Sequence, residues 1–255
     1  MTANLTDTSP WIRRFHPADN ARARLLCLPH AGGSAPFYFP VSRALSPAVD
    51  VLAVQYPGRQ DRRHEPCLDS LPALADALVE EVSPWTDRPL ALFGHSMGAT
   101  LAFELALRLE RRGTVPLVVF ASGRRAPSRH RDESVHLRDD DGMIAELRAL
   151  NGTGAQVFGD EELLRMVLPA IRSDYRAAET YRYSPGPRLA APIQAHTGVD
   201  DPKATLDEVR AWEEHTDASF EMHTYPGGHF YLNDQAPRVI DAVSRTISSL
   251  LPQQA

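Results

Sequence analysis

The chain has 255 residues, 43% of them hydrophobic and 24% charged, with a net charge of −6. That is enough chain for one large α/β domain with a sizeable core, and the acidic balance argues against a nucleic-acid-binding surface. No apolar run reaches the ~18 residues of a membrane span, residues 1–10 are polar and lack the apolar stretch of a secretory signal, and Cys27 and Cys67 give no disulfide framework. A soluble cytoplasmic protein is expected, with no metal site near either cysteine.

Taken in order, residues 1–10 are expected to be disordered. Residues 11–15 read as an edge strand, and 24–28 as a short buried strand stopped by Pro29. A loop bearing His30-Ala31-Gly32-Gly33 follows. Residues 37–45 read as a helix and 49–54 as a strand, closed by a turn at Pro57-Gly58-Arg59. From 68 to 82 the apolar residues fall at 71, 74, 75, 78, 79 and 82, one face of a helix started by Ser70 and Pro72. The strand at 90–93 runs into a helix over 97–112. That helix is apolar nearly all round, ends on Arg111 and Arg112, and stops at Gly113. Residues 117–120 read as the next strand.

This alternation implies an α/β fold, a mostly parallel sheet with helices on both faces. It breaks over residues 124–190, which hold no convincing strand. Helices are expected near 141–150, 160–171 and 173–181, with Asp141 and Asp160 as cap or first-turn residues and Pro169 bending the second. We read an insertion over the sheet edge within a single domain covering 1–255. Of its apolar residues, Met143, Leu147, Leu150, Val157, Phe158, Leu163, Met166 and Val167 are candidates to line a pocket, though most are expected only to pack the insertion. Alternation then resumes: strand 193–197, a turn at Gly198, helix 206–215, strand 220–225, and a last helix from about Pro237 with Val239, Ile240, Val243, Ile247, Leu250 and Leu251 on one face.

The chemistry centres on Gly94-His95-Ser96-Met97-Gly98, set between a strand and a helix. A turn this sharp strains the backbone at Ser96 and brings strand and helix too close for side chains at 94 and 98. The serine hydroxyl then stands clear of the sheet edge, beside free helix N–H groups. To act as a nucleophile it needs a base, and the base an orienting carboxylate. In such sheets both belong on loops at the C-terminal strand ends. His229, after Pro226-Gly227-Gly228 and directly past a strand end, is placed to reach Ser96. His223 lies mid-strand on the polar face, His215 ends a helix, and His95 is expected to pack or hydrogen-bond locally. Asp200 and Asp201 both lie in the turn after residue 198. Asp201 is favoured because it stands three residues past Gly198 with Pro202 fixing the following backbone. The order Ser96, Asp201, His229 is that of α/β-hydrolases. The two oxyanion donors are expected to be the N–H groups of Met97 and Ala31.

One basic cluster, residues 124–131, reads as a solvated loop or, alternatively, as a landing strip for an acidic partner.

Leu28-Pro29-His30-Ala31-Gly32-Gly33-Ser34, Gln55-Tyr56-Pro57-Gly58-Arg59, Gly94-His95-Ser96-Met97-Gly98, Asp201-Pro202 and Gly227-Gly228-His229-Phe230-Tyr231-Leu232 together resemble the type II thioesterases. These are stand-alone editing hydrolases of polyketide and non-ribosomal peptide synthesis. The resemblance covers nearly the whole chain in the right order. It implies an α/β-hydrolase fold with a helical lid at about 124–190, and hydrolysis of acyl groups from the phosphopantetheine arm of acyl or peptidyl carrier proteins. By motif, Ser96 is the nucleophile, Asp201 the acid and His229 the base. No cofactor or metal is implied, and a monomer is expected. The competing readings are a medium-chain acyl thioesterase, a small-molecule esterase, and a hydrolase fold kept only for binding.

Overall fold

The computed structural model describes residues 9–150 and 161–252, with side chains from residue 164 onward in the second stretch. Its strands are β1 (Ile12–Arg13), β2 (Ala23–Leu28), β3 (Val49–Val54), β4 (Leu90–His95), β5 (Val119–Ser122), β6 (Ile193–Gly198) and β7 (Phe220–Tyr225). Its helices are α1 (Phe39–Leu45), α2 (Leu71–Val82), α3 (Met97–Arg111), α4 (Asp140–Ala149), α5 (Glu161–Thr180), α6 (Leu206–Arg210), α7 (Tyr231–Asp234) and α8 (Ala236–Leu250). None of the described helices is long and apolar enough to cross a membrane.

The strands form one seven-stranded sheet in the order β1-β3-β2-β4-β5-β6-β7, parallel except for β1. The short apolar runs of β2 and β4 are buried on both faces, and alternate residues feed different cores. Leu26, Leu28, Leu90 and Leu92 join the core under α2 and α3, whereas Leu25, Cys27, Ala91 and Phe93 join the one under α8. All six apolar positions of the α2 stripe are buried, and Ser70 caps that helix through Ala73 N–H. On α8, Val239, Val243 and Ile247 are buried, but Leu250 is exposed.

The chain runs from β2 outward to β3, then crosses back to β4 on the other side of β2. The carboxyl ends of β2 and β4 therefore flank the point where strand order reverses, the natural site for a ligand crevice. The loop carrying Ala31 follows β2, and Ser96 follows β4.

Several boundaries differ from the sequence reading. The edge strand has two residues rather than five. Ser9, inside the stretch expected to be disordered, hydrogen-bonds Glu81 at 2.6 Å; residues 1–8 lie outside the described residues. The strand read at 117–120 is Val119–Ser122, because the ladder continues past the apolar run and pairs Ser122 with His95. Residues 35–38 and 211–215 are 3-10 turns joined to α1 and α6. The two helices expected between 160 and 181 are one, α5, continuous through Pro169. No glycine or proline separates residues 171 and 173, so the helix runs on, and Asp174 turns inward to an ion pair with Arg59. Asp139 caps α4 through Gly142 N–H, leaving Asp141 in the first turn. Asp160 lies outside the described residues.

Candidate active site

Ser96 sits between β4 and α3 at φ 55°, ψ −117°, a conformation that L residues avoid. The two glycines make the bend possible. A Cβ on Gly94 would lie 2.0 Å from Gly98 O, and one on Gly98 would lie 2.1 Å from Leu28 O. The second contact also seats the start of α3 against the end of β2. Ser96 N–H is held by Ser122 O at 2.8 Å.

Ser96 Oγ lies 3.0 Å from His229 Nε2, and His229 Nδ1 lies 3.0 and 2.9 Å from the two Asp201 oxygens. The carboxylate that meets the imidazole is thus that of Asp201. Asp200 instead spends its N–H on Gly227 O and leaves its side chain exposed. The turns after β6 and β7 interlock to set this register: a Cβ on Gly198 would strike Gly227 O at 2.3 Å, and Gly227 adopts φ 114°. Asp201 is further fixed by the N–H of Lys203 at 2.8 Å.

Two further imidazoles crowd His229. His95 is fully buried, its ring 5.1 Å from that of His229, and its Nδ1 is linked to Ser122 Oγ, which in turn meets Tyr231 OH. His30 packs edge-on against Phe37 and Phe230. Burial first, then repulsion from His229, pushes the His95 pKa well below its ordinary value and that of His30 to about 3. Both stay neutral beside the imidazole that faces Ser96. His30 was not singled out in the sequence; its place next to a glycine-bearing loop after β2 was the available signal.

Met97 is the first residue of α3, so its N–H has no carbonyl one turn behind it. Neither that N–H nor the one of Ala31 meets an acceptor among the described residues. Both residues line the same cleft as Ser96 and His229, an open space of about 570 Å³. An alcohol bonded to an imidazole, with two unspent N–H groups nearby, can attack a carbonyl and hold the resulting oxyanion. The far wall comes from the helical segment between β5 and β6, through Leu147, Leu150, Tyr175, Ala178 and Glu179. Of the other lining candidates, Met143 is fully buried within that segment, Val167 packs against its core, and Met166 is 65% exposed. Val157, Phe158 and the Leu163 side chain lie outside the described residues.

Residues 23–247 match the family model described as Thioesterase domain. The chain belongs to the thioesterase family. Thioesterase PikA5 of Streptomyces venezuelae is 53% identical over 240 residues, covering 93% of this chain and 85% of that protein. A cadicidin biosynthesis thioesterase of Streptomyces griseus is 53% identical over 94% of this chain, which spans only 66% of that relative's length. The solved structure of the type II thioesterase BorB, from the borrelidin biosynthetic cluster, shares 55% identity and superposes with a TM-score of 0.89, covering 93% of this chain and 97% of that one. The seven-stranded sheet is the α/β-hydrolase fold of these thioesterases.

In this thioesterase residues 124–131 form a loop, part of it exposed, whose arginines are already engaged within the chain. Arg125 pairs with Glu133, Arg129 with Glu214 and Arg131 with Glu208. The partners lie up to 85 residues away in sequence, so the run looked uncompensated. Arg124 turns inward instead, donating to Thr100 Oγ1 and Ala178 O and lining the cleft. Burial, then the neighbouring Arg125, lowers its pKa to about 10, so the guanidinium remains charged. Among the described residues no group of three or more His, Cys, Asp or Glu side chains is arranged to hold a metal.

Proposed function

We propose that this chain is a serine thioesterase that removes aberrant or short acyl groups from the phosphopantetheine arm of acyl or peptidyl carrier proteins, an editing role in polyketide or non-ribosomal peptide biosynthesis. The observation that carries the reading is the unbroken hydrogen-bond chain Ser96–His229–Asp201 on the floor of the cleft. The relatives' names support the reaction and its setting: PikA5 is named a thioesterase, and BorB a type II thioesterase from the borrelidin biosynthetic cluster.

In this reading His229 takes the Ser96 hydroxyl proton as Oγ attacks the thioester carbonyl. Asp201 holds the imidazole ring and stabilises its positive charge. The oxyanion accepts the N–H groups of Met97 and Ala31, each worth roughly 3 kcal/mol of barrier. The sulfur leaves with the proton from His229. Water, activated by the same imidazole, then releases the free acid and restores Ser96. The α4–α5 segment serves as a lid over the acyl group, with Leu147 and Leu150 at its wall. One chain supplies all five groups, so the chemistry needs no second subunit, and we propose a monomer acting in the cytoplasm with its carrier partners.

The test is intact mass of a panel of acyl carrier proteins before and after incubation, with Ser96→Ala as control. Short acyl groups should be lost from the carriers and retained with the variant. Preference for long free chains or oxygen esters would support a medium-chain thioesterase or an esterase. No turnover of any ester by the native chain would support a binding protein.

A further inference from the structure

The loop that supplies the Ala31 N–H is held from an unexpected direction. Asp174, on α5, is only 1% exposed, and its Oδ2 accepts the Gly32 N–H at 2.8 Å across 142 residues of sequence. Both oxygens of that carboxylate are also gripped by the buried Arg59 guanidinium, at 2.5 and 2.8 Å. Arg59 Nη1 donates in addition to Gly33 O at 3.1 Å. The ion pair therefore binds one donor and one acceptor of the loop immediately beyond Ala31. Ile171, one turn earlier on α5, closes the same contact: a Cβ on Gly32 would lie 2.8 Å from its Cγ1.

The geometry of the peptide group links this grip to the oxyanion donor. Ala31 N–H and His30 C=O belong to one planar trans peptide and point in opposite directions. His30 O accepts the Gly33 N–H at 2.9 Å, so fixing Gly33 fixes where Ala31 N–H points. Gly32, at φ 77°, is the flexible joint between them. An apolar contact could join α5 to the body equally well. A bidentate charged pair adds direction, since its oxygens and N–H groups accept partners only along defined axes.

We propose that Asp174, oriented by Arg59, is the positioning residue for the Ala31 oxyanion donor, so that seating of the α5 helix assembles half of the oxyanion hole. The inference rests on the thioesterase reading above. It makes the helical segment part of the catalytic apparatus rather than only a cover: when α5 lifts, the Ala31 donor loses its alignment.

The experiment compares the full-length native chain with Asp174→Ala, Asp174→Asn and Arg59→Met on an N-acetylcysteamine thioester, well below each variant's melting temperature. Asp174→Asn is nearly isosteric and keeps an acceptor for Gly32 N–H, so it serves if the alanine variant folds poorly. We expect kcat to fall about 10- to 100-fold for Asp174→Ala and less for Asp174→Asn, with KM within about threefold. Affinity for a trifluoromethyl ketone analogue, which places an oxyanion in the hole, should fall in step with kcat. Affinity for the matching non-reactive thioether should not move. A lower melting temperature with unchanged kcat and unchanged ketone affinity would mean that the pair only staples α5 to the body, and would overturn the proposal. Failure of the thioesterase reading looks different: the native chain itself would then be inactive, and Ser96→Ala would change nothing.

Discussion

The sheet and the helical segment between β5 and β6 are held by different forces. The sheet is packed through apolar side chains on both faces, and Ser96, Asp201 and His229 stand on turns whose shape is dictated by backbone contacts at glycines. The segment has a small apolar core of its own around Met143, Leu147, Leu164 and Ile171. Its grip on the body combines apolar contacts of Ile171, Ala177, Ala178 and Tyr181 with buried ion pairs. Arg59 meets Asp174, and Lys203 bridges Glu133 at 3.0 Å and Glu146 at 2.5 Å. Apolar packing is strong but indifferent to direction; paired charges add less net stability yet fix orientation. The chemistry is carried by the part built for rigidity, and the cover by the part built for alignment.

The largest effect should come from the rigid half. Ser96→Ala should lower thioester turnover roughly 10⁴- to 10⁶-fold while leaving the melting temperature close to native. A variant retaining even a tenth of the native rate would remove the serine from the mechanism. Next, Asp201→Asn should cost about 10⁴-fold in kcat, whereas Asp200→Asn should stay within about threefold. Steady-state kinetics on the pair decides between them, and the reverse order would place the acid one residue earlier.

The cover should respond more mildly and through stability. Lys203→Met leaves two carboxylates without their shared ammonium and should cost about 1–3 kcal/mol. Hydrogen exchange should then rise in α4 while β4 and β5 stay protected. Uniform loosening of the sheet would contradict the division drawn above.

Acid should separate the two halves. Burial lowers His196, in β6, to about 3 and His215 to about 4, as it does His30. The unfolded chain binds protons at these sites from about pH 6.5 downward, so their contribution is full above that pH and is lost toward the folded values. Each costs up to about 1.4 kcal/mol per pH unit in that window. Glu133 behaves differently. Burial alone would raise its pKa, but Arg125 and Lys203 outweigh that and bring it down to about 2. Its contribution persists above about 4.5 and is lost only as pH falls toward 2. Urea midpoints measured from pH 8 to 5 should therefore fall with a slope that His196→Asn flattens by about one proton. A slope unaffected by that change would mean that His196 already carries its proton in the folded chain.

The contrast also explains what could be seen in the sequence. Gly94 and Gly98 are legible because sterics leave few alternatives there, and β2, β3 and β4 because short apolar runs between turns have one natural reading. His229 stood out through the glycines before it. The choice between Asp200 and Asp201 could only be weighted, since both share one turn and the seating of Gly198 against Gly227 decides which carboxylate faces inward. The ionic half was hidden. Nothing near Arg129 or Arg131 announces Glu214 or Glu208, and nothing near Asp174 announces Arg59. Long-range charge pairs have no local periodicity to betray them.

Lys203 carries one last implication. Its backbone anchors the Asp201 carboxylate while its ammonium ties down α4 and the loop at Glu133, so one residue belongs to both halves. Grafting residues 124–190 from another hydrolase would therefore not transplant a self-contained module. A working chimera would have to bring compatible residues at 59, 203, 208 and 214, positions outside the exchanged piece that hold the complementary ends of its bonds.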